Sequence, residues 1–235
     1  MDTSTEGQEL AGWAKMLADA TRATVCLALL DGRAWTASEL AKLAGVSRPT
    51  MSEHLNLLVD GGLLSEVRQG RHRYLKLAGA EIAGLLESLA ALAPRSTDVA
   101  NSLSTASKRD AFARARTCYD HFAGRLGVAL TDAMTDRGLL DWSEGIALTP
   151  AGRDWLDELG IVIEARRGRP VVRACLDVTE RRPHLAGAAG AAMCAHALQQ
   201  GWVTRITGGR ALRVTGSVET FGLSAGVVRE LLSRS

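Results

Sequence analysis

Two stretches of the chain carry residue types that could do chemistry. "RTCYDHFAG" (116–124) holds Cys118, Asp120 and His121, and "RACLDVTERRPHLAG" (173–187) holds Cys175, Asp177 and His184. Cysteine sulfur and histidine nitrogen are the preferred ligands of zinc, and carboxylates beside them add oxygen ligands or orient the imidazoles. Cys118, His121, Cys175 and His184 make a Cys2His2 set suited to zinc or another thiophilic metal. The spacings, Cys-x2-His and Cys-x8-His, differ from the two close cysteine pairs of a strong zinc signature. Three other readings therefore stand beside the metal. Cysteines next to Arg and His have lowered pKa values, which suits a thiol-based or organic-ligand sensor. Adjacent Cys118 and His121 could form a nucleophile–base pair, although no oxyanion loop accompanies them. Finally, the stretch could be packing, with cysteine buried and Asp or His capping backbone.

The elements that must position these residues repeat. Shifted by 63 residues, "HFAGRLGVALTDAMTDRGLL" lies over "HLAGAAGAAMCAHALQQGWV". Each copy reads as a helix of about four turns closed by a C′ glycine, Gly138 or Gly201. A hairpin follows each, "LLDWSEGIAL" and "WVTRITGGRALRV", and then a threonine cap, Thr149 or Thr215. The spacing predicts two helix–hairpin–helix repeats, about 116–163 and 173–235, packed about a pseudo-twofold axis. The shared glycines and alanines read as close helix packing, because no apolar strand precedes them as a dinucleotide loop requires. "EARRGRPVVR" (164–173) reads as a solvated basic connection, and Cys26 and Cys194 as core. The scattered tryptophans form no stacking platform.

The chain of 235 residues is 46% hydrophobic and 23% charged, ordinary for a soluble globular protein long enough for one large domain or two small ones. Its polar, acidic start is unlike a signal peptide, and its apolar runs fall short of the roughly 18 residues that cross a bilayer. Four widely spaced cysteines do not resemble a secreted disulfide framework, so a cytoplasmic protein with reduced thiols and no membrane partner is expected. Split near Pro94, the front carries 9 basic and 11 acidic residues and the back 19 and 15. Nucleic-acid binding at the front must therefore come from a local patch, and Arg68, Arg71, Arg73 and Lys76 supply one.

In the front half, Leu10, Trp13, Ala14 and Leu17 have helical spacing over 9–18, and "TRATVCLALL" reads as a second helix. Thr36 and Glu39 form a capping box opening a helix over 37–43, stopped at Ala44-Gly45. Ser47 caps the next helix, with Pro49 in its first turn, and the helix closes at Gly61-Gly62. Two short helices joined by a glycine-containing turn are a helix-turn-helix. "LLSEVRQGRHRYLKL" adds a hairpin turning at Gln69-Gly70, with Leu75 and Leu77 on one face and a basic tip, the form of a wing.

"LADATR", "TASELAKLAGVSRPTMSEHLNLLVDGGLL" and "RQGRHRYLKL" together resemble the ArsR/SmtB family of winged-helix repressors over about residues 9–92. The resemblance implies a homodimer whose recognition helices, here 47–59, enter successive major grooves of double-stranded operator DNA. Arg48, Thr50 and Ser52 would then approach base edges, with the cap Ser47 part of the same DNA-binding surface. His54 would touch phosphate or cap local packing, and Arg68, Arg71 and Arg73 would supply phosphate contacts. One feature departs from the family: "ELAKLAG" in the first helix of the motif has no Cys-x-Cys, so the arsenic-type metal site is missing. "AEIAGLLESLAALA" (80–93) carries Ile82, Leu85, Leu86, Leu89 and Leu92 as an apolar stripe, which in such proteins pairs across a dimer with the first helix.

The expected fold is mainly α with small β (α+β): a winged helix-turn-helix over 1–93, a linker over 94–108 and the repeated domain over 109–235. The expected function is a DNA-binding transcriptional regulator, a repressor, whose C-terminal domain answers a small ligand, metal or thiol signal. An enzyme that uses the winged helix only to dimerise would need a cofactor-binding Rossmann segment, which is missing. An interaction module that has lost DNA is the remaining alternative, and the arginines at 48, 68, 71 and 73 weigh against it.

Overall fold

The computed structural model describes residues 3–70, 72–93, 103–164, 168–206 and 209–215, with backbone only at 103–106 and 108. Two compact units divide the chain, the first reaching Leu86 and the second beginning at Glu87. Among the described residues no helix is long and apolar enough to cross a membrane.

The first unit is built on local signals. Helix α1 spans Thr3–Ala14 and α2 spans Ala20–Leu29. The sequence pattern carries the first helix to residue 18, but the chain breaks earlier because Asp19 caps α2 by accepting from Arg22 N. Arg22 then donates to the carbonyls of Met16 and Lys15, holding the turn between the helices. The short strand β1 (Trp35–Thr36) leads into α3 (Ala37–Ala44), where Thr36 and Glu39 form the expected capping box. Gly45, at φ +68, ends α3, in a left-handed conformation that costs other residues about 1–2 kcal/mol. Ser47 caps α4 (Arg48–Asp60). Strands β2 (Leu64–Gln69) and β3 (His72–Leu77) form the wing, in a three-stranded sheet ordered β1-β3-β2. Leu75 and Leu77 are buried, as are Val25, Leu29, Leu40, Met51, Leu55 and Leu58 from the helices. The expected basic tip includes Arg71, which lies outside the described residues.

Helix α5 (Ala80–Leu92) crosses the boundary between the units. Its buried residues include Ala83, Leu86 and Ala91, whereas Leu85, Leu89 and Leu92 of the apolar stripe stay exposed.

The second unit begins with the end of α5 and continues into α6 (Leu103–Arg114), which starts inside the stretch expected as a linker. Then follow β4 (Arg116–Cys118), β5 (His121–Ala123), α7 (Gly124–Asp136), β6 (Leu140–Asp141), β7 (Ala147–Leu148) and α8 (Pro150–Glu158). The later half runs β8 (Arg173–Leu176), β9 (Pro183–Ala186), α9 (Gly187–Gln199), β10 (Val203–Arg205) and β11 (Leu212–Val214). All four pairs are antiparallel hairpins. The sequence pattern starts the helices at His121 and His184, but each histidine sits on a strand and the helix starts three residues later. Gly124 and Gly187, at φ +74 and +85, supply the bend from strand to helix. The order in each half is thus hairpin, helix, hairpin; a closing helix, α8, is present in the first. Its expected counterpart over 216–235 lies outside the described residues.

One apolar core serves both halves, with Phe122, Leu126, Leu130 and Met134 beside Leu185, Ala189 and Met193. The glycines shared by the two copies allow the helices to approach closely. A Cβ at Gly127 would lie 2.6 Å from the Phe122 carbonyl, and one at Gly190 2.6 Å from that of Leu185 and 3.3 Å from His121 Cβ. Gly127→Ala is expected to cost about 1–3 kcal/mol by overpacking, read as a lowered denaturant midpoint with unchanged slope. Gly12→Ala, in open space on α1, should change the midpoint little or raise it.

Candidate DNA interface and Cys-His cluster

The exposed face of α4 carries Ser47, Arg48, Thr50, Glu53 and Asn56. Ser47 Oγ accepts from Thr50 N at 3.3 Å and lies 2.8 Å from the Thr50 hydroxyl, so the first turn is tied by its own cap. Arg48 makes no side-chain bond that fixes it and projects into solvent at the positive end of the helix. Ser52 is half-buried and donates to the Arg48 carbonyl at 3.0 Å. His54 is also half-buried, with Nδ1 3.8 Å from Asp19, and faces the base of α2 rather than the open groove side.

On the wing, Arg68 is mostly exposed and reaches Glu66 at 3.3 Å. Arg73 is held: its Nε donates to Glu66 at 2.6 Å and its Nη1 to Asn56 Oδ1 at 2.8 Å. Arg73 therefore braces the wing against α4. Arg68 and then Arg73 hold the Glu66 carboxyl below its usual range. Glu53 and Asn56 were missed from sequence because side-chain exposure along α4 follows packing that the apolar pattern marks only on its buried side.

In the second unit, the hairpins bring all four candidate ligands together. Cys118 pairs across β4–β5 with His121, and Cys175 across β8–β9 with His184. All four are buried, and their ligating atoms lie within 4.8 Å of one another. The two sulfurs are 3.7 Å apart, and the imidazole centroids 5.1 Å. Zinc–sulfur bonds of about 2.3 Å at tetrahedral angles give a sulfur–sulfur edge of about 3.8 Å, so the sulfur spacing fits such an ion. Nδ1 of His121 is 3.2 Å from Asp120, and Nδ1 of His184 is 3.4 Å from Asp177. The Nε2 atoms of both rings, and Nδ1 of His184, are buried with no hydrogen-bond partner. Asp120 thus stands outside the cluster and orients His121, as carboxylates commonly do beside histidine ligands, while Asp177 faces His184 without a hydrogen bond to it.

The sulfurs share their protons unequally. The Cys118 thiol beside it, offset by burial and helped by His121 and His184, depresses the Cys175 pKa and so favours the thiolate at Cys175. Burial first, then Cys175 and Glu87, push the Cys118 thiol well up. Burial opposes charge on His121, but Asp120 and Cys175 together raise its pKa. Burial pushes Cys26 and Cys194 up to about 12, in keeping with core thiols.

Three positioning residues escaped the sequence reading. Arg116, fully buried, donates to Asp177 at 2.9 Å and to Thr179 Oγ1 at 2.9 Å, and its guanidinium lies 4.6 Å over the Phe112 ring. Arg169, from the stretch expected to be a solvated connection, donates to Asp120 at 2.7 Å and to the Gly187 carbonyl at 2.8 Å. Thr179 donates to Asp177 from both its N–H and its hydroxyl. The repeat of Arg-x-Cys-x-Asp was the one signal that could have exposed Arg116.

A capped two-helix motif with a hairpin wing defines a winged helix-turn-helix DNA-binding protein. Residues 17–67 match a family model described as a helix-turn-helix domain. The chain is 38% identical over 205 residues to the uncharacterized HTH-type transcriptional regulator YdfF of Bacillus subtilis (strain 168), covering 86% of this chain and 90% of that one. It is 36% identical over 63 residues to the transcriptional repressor SdpR of the same organism, covering 27% of this chain and 69% of that one. Among solved structures, the transcriptional repressor BigR from Xylella fastidiosa is 24% identical with a TM-score of 0.36, over 40% of this chain and 96% of that one. The chain belongs to the HTH-type transcriptional regulators.

Removing Arg116 should leave Asp177 buried without its charge partner. Arg116→Met is expected to cost about 3–5 kcal/mol, measured by denaturant unfolding of the intact chain.

Proposed function

We propose that the protein is a homodimeric, sequence-specific repressor whose second unit holds zinc or another thiophilic metal at Cys118, His121, Cys175 and His184. The observation that carries the metal reading is the convergence of four buried ligating atoms within 4.8 Å, two sulfurs among them at a tetrahedral spacing. Four protein ligands fill a tetrahedral shell, so when bound the ion would supply a cross-link between the two hairpins. Metal supply would then set how well the unit is ordered, and with it the affinity for DNA. The reading is of a binding protein: the buried Cys118–His121 pair faces another thiol and another imidazole. The sulfur pair also supports a thiol signal at the same place.

For DNA, Arg48 and Thr50 are the proposed base readers, with Glu53 and Asn56 added from their exposure on α4. Arg68 and Arg71 are the proposed phosphate contacts; Ser47, Ser52, His54 and Arg73 support the surface from behind. Exposed Leu10 on α1 and Leu85, Leu89 and Leu92 on α5 support pairing with a second copy. We keep the division into a DNA-binding domain (1–93), a connection (94–108) and an internally repeated metal-binding domain (109–235), in a cytoplasmic protein whose four cysteines are free.

Two experiments test this. Native mass spectrometry of reduced protein should show a dimer with one metal ion per protomer, lost in Cys118→Ser and Cys175→Ser, and tighter at higher pH because Cys118 must shed its proton. A bare dimer under metal-replete conditions would refute the metal reading. Fluorescence anisotropy on DNA from the protein's own upstream region should give affinity that falls steeply with salt. Arg68→Ala should lower the salt slope by about one across sequences, and Arg48→Ala should cost about 1–3 kcal/mol at one base position. Binding that ignores salt would count against the DNA reading.

A further inference from the structure

The two edges of the Cys-His cluster are built differently. On the second hairpin, eight residues separate Cys175 from His184, where two separate Cys118 from His121. The extra residues fold over Asp177. Its carboxylate accepts from Thr179 N and Oγ1, Glu180 N, Gly124 N and Arg116, and its side chain and that of Arg116 are both 0% exposed.

On the first hairpin, the Cys118–His121 pair closes a two-residue turn, with Tyr119 in the left-handed region at φ 56. Among the described residues no loop folds over Asp120. The bonds that fix its carboxylate come from His121 and Arg169, and the Asp120 and Arg169 side chains are 31% and 20% exposed. At its other side Arg169 donates to the Gly187 carbonyl.

A histidine ligand can swing away only if the group beside its other nitrogen gives way. Nδ1 of His184 makes no hydrogen bond but lies 3.4 Å from Asp177, and Nδ1 of His121 is hydrogen-bonded to Asp120 at 3.2 Å. The mobility of each carboxylate therefore decides which ligand yields first. Asp177 cannot turn without breaking five bonds in a dry interior. Asp120 can follow Arg169 outward into water, and His121 is then free to swing. We propose that the Asp120–Arg169 edge is the route by which a metal ion enters and leaves, with His121 the ligand that attaches last and releases first. Arg169 is a positioning residue that sets the exchange rate, and the Asp177 edge is a fixed wall. The proposal rests on the metal reading above.

The test is the rate at which cobalt-loaded full-length protein gives up its ion to excess chromogenic chelator in stopped flow. Arg169→Met and Asp120→Asn are expected to speed transfer by about 10–100-fold, the scale of such outer-shell changes. Both should keep one cobalt per protomer and the absorption bands of a two-sulfur, two-nitrogen site. Thr179→Val, which removes a hydroxyl from the Asp177 edge, should leave the rate within about twofold of wild type, since Asp177 keeps its remaining donors. General loosening of the fold would accelerate all three alike and overturn the proposal, as would an unchanged rate in Arg169→Met and Asp120→Asn. Wild-type protein that takes up no cobalt or zinc would remove the metal reading itself, and this proposal with it.

Discussion

Arg116 and Asp177 form an ion pair with both side chains out of water, and the second unit is arranged around it. An isolated buried charge costs several kcal/mol, so such a pair persists only when the remaining polar atoms are met. Here Asp177 takes four further bonds, one of them from Gly124 N at the start of α7, and Arg116 is stacked on Phe112. These bonds reach 53 to 63 residues along the chain, from the first hairpin to the loop of the second. They fix β4 against β8, and with those strands the two sulfurs. The Asp177 carboxylate is held well below its usual range, with burial opposing ionisation and Arg116 then favouring it. The shift favours the ionised form that the pair with Arg116 requires.

The cluster follows from that constraint. Once the strands are fixed, the cross-strand register sets a histidine beside each cysteine, and Gly127 and Gly190 bring each helix close to the opposite histidine's Cβ. A thiolate, a thiol and two imidazoles confined in an apolar interior are costly without a shared proton or a shared cation. The unpartnered Nε2 atoms are the visible sign of that cost.

The first unit depends on shorter-range forces. Its helices are set by caps three residues apart, Thr36 with Glu39, Ser47 with Thr50 and Asp19 with Arg22, and its wing by one hairpin. Such signals survive in the sequence, which is why the helix-turn-helix was legible down to its boundaries. Even there the side chains held surprises. Arg73 reads as a free wing cation, but its guanidinium is spent on Glu66 and Asn56. The apolar stripe of α5 is split: Leu85, Leu89 and Leu92 are exposed, whereas Leu86 is buried with Ala83 and Ala91.

By itself, the sequence determined the winged helix-turn-helix, the resemblance to its family, the likeness of the two Cys-x-Asp stretches, and Cys118, His121, Cys175 and His184 as a candidate set beside the sensor and packing readings. Those features depend on spacing within a turn or two of chain, or on one stretch repeating another. The tertiary structure alone decided that Cys118 and Cys175 meet at 3.7 Å, that the histidines lie on strands, and that Arg116 and Arg169 hold the two carboxylates. Strands of three or four residues are too short to show a period, and partners about 50 to 60 residues apart leave no local pattern. What brings them together is the burial of one core by both halves, a property of the folded chain and not of any segment of it.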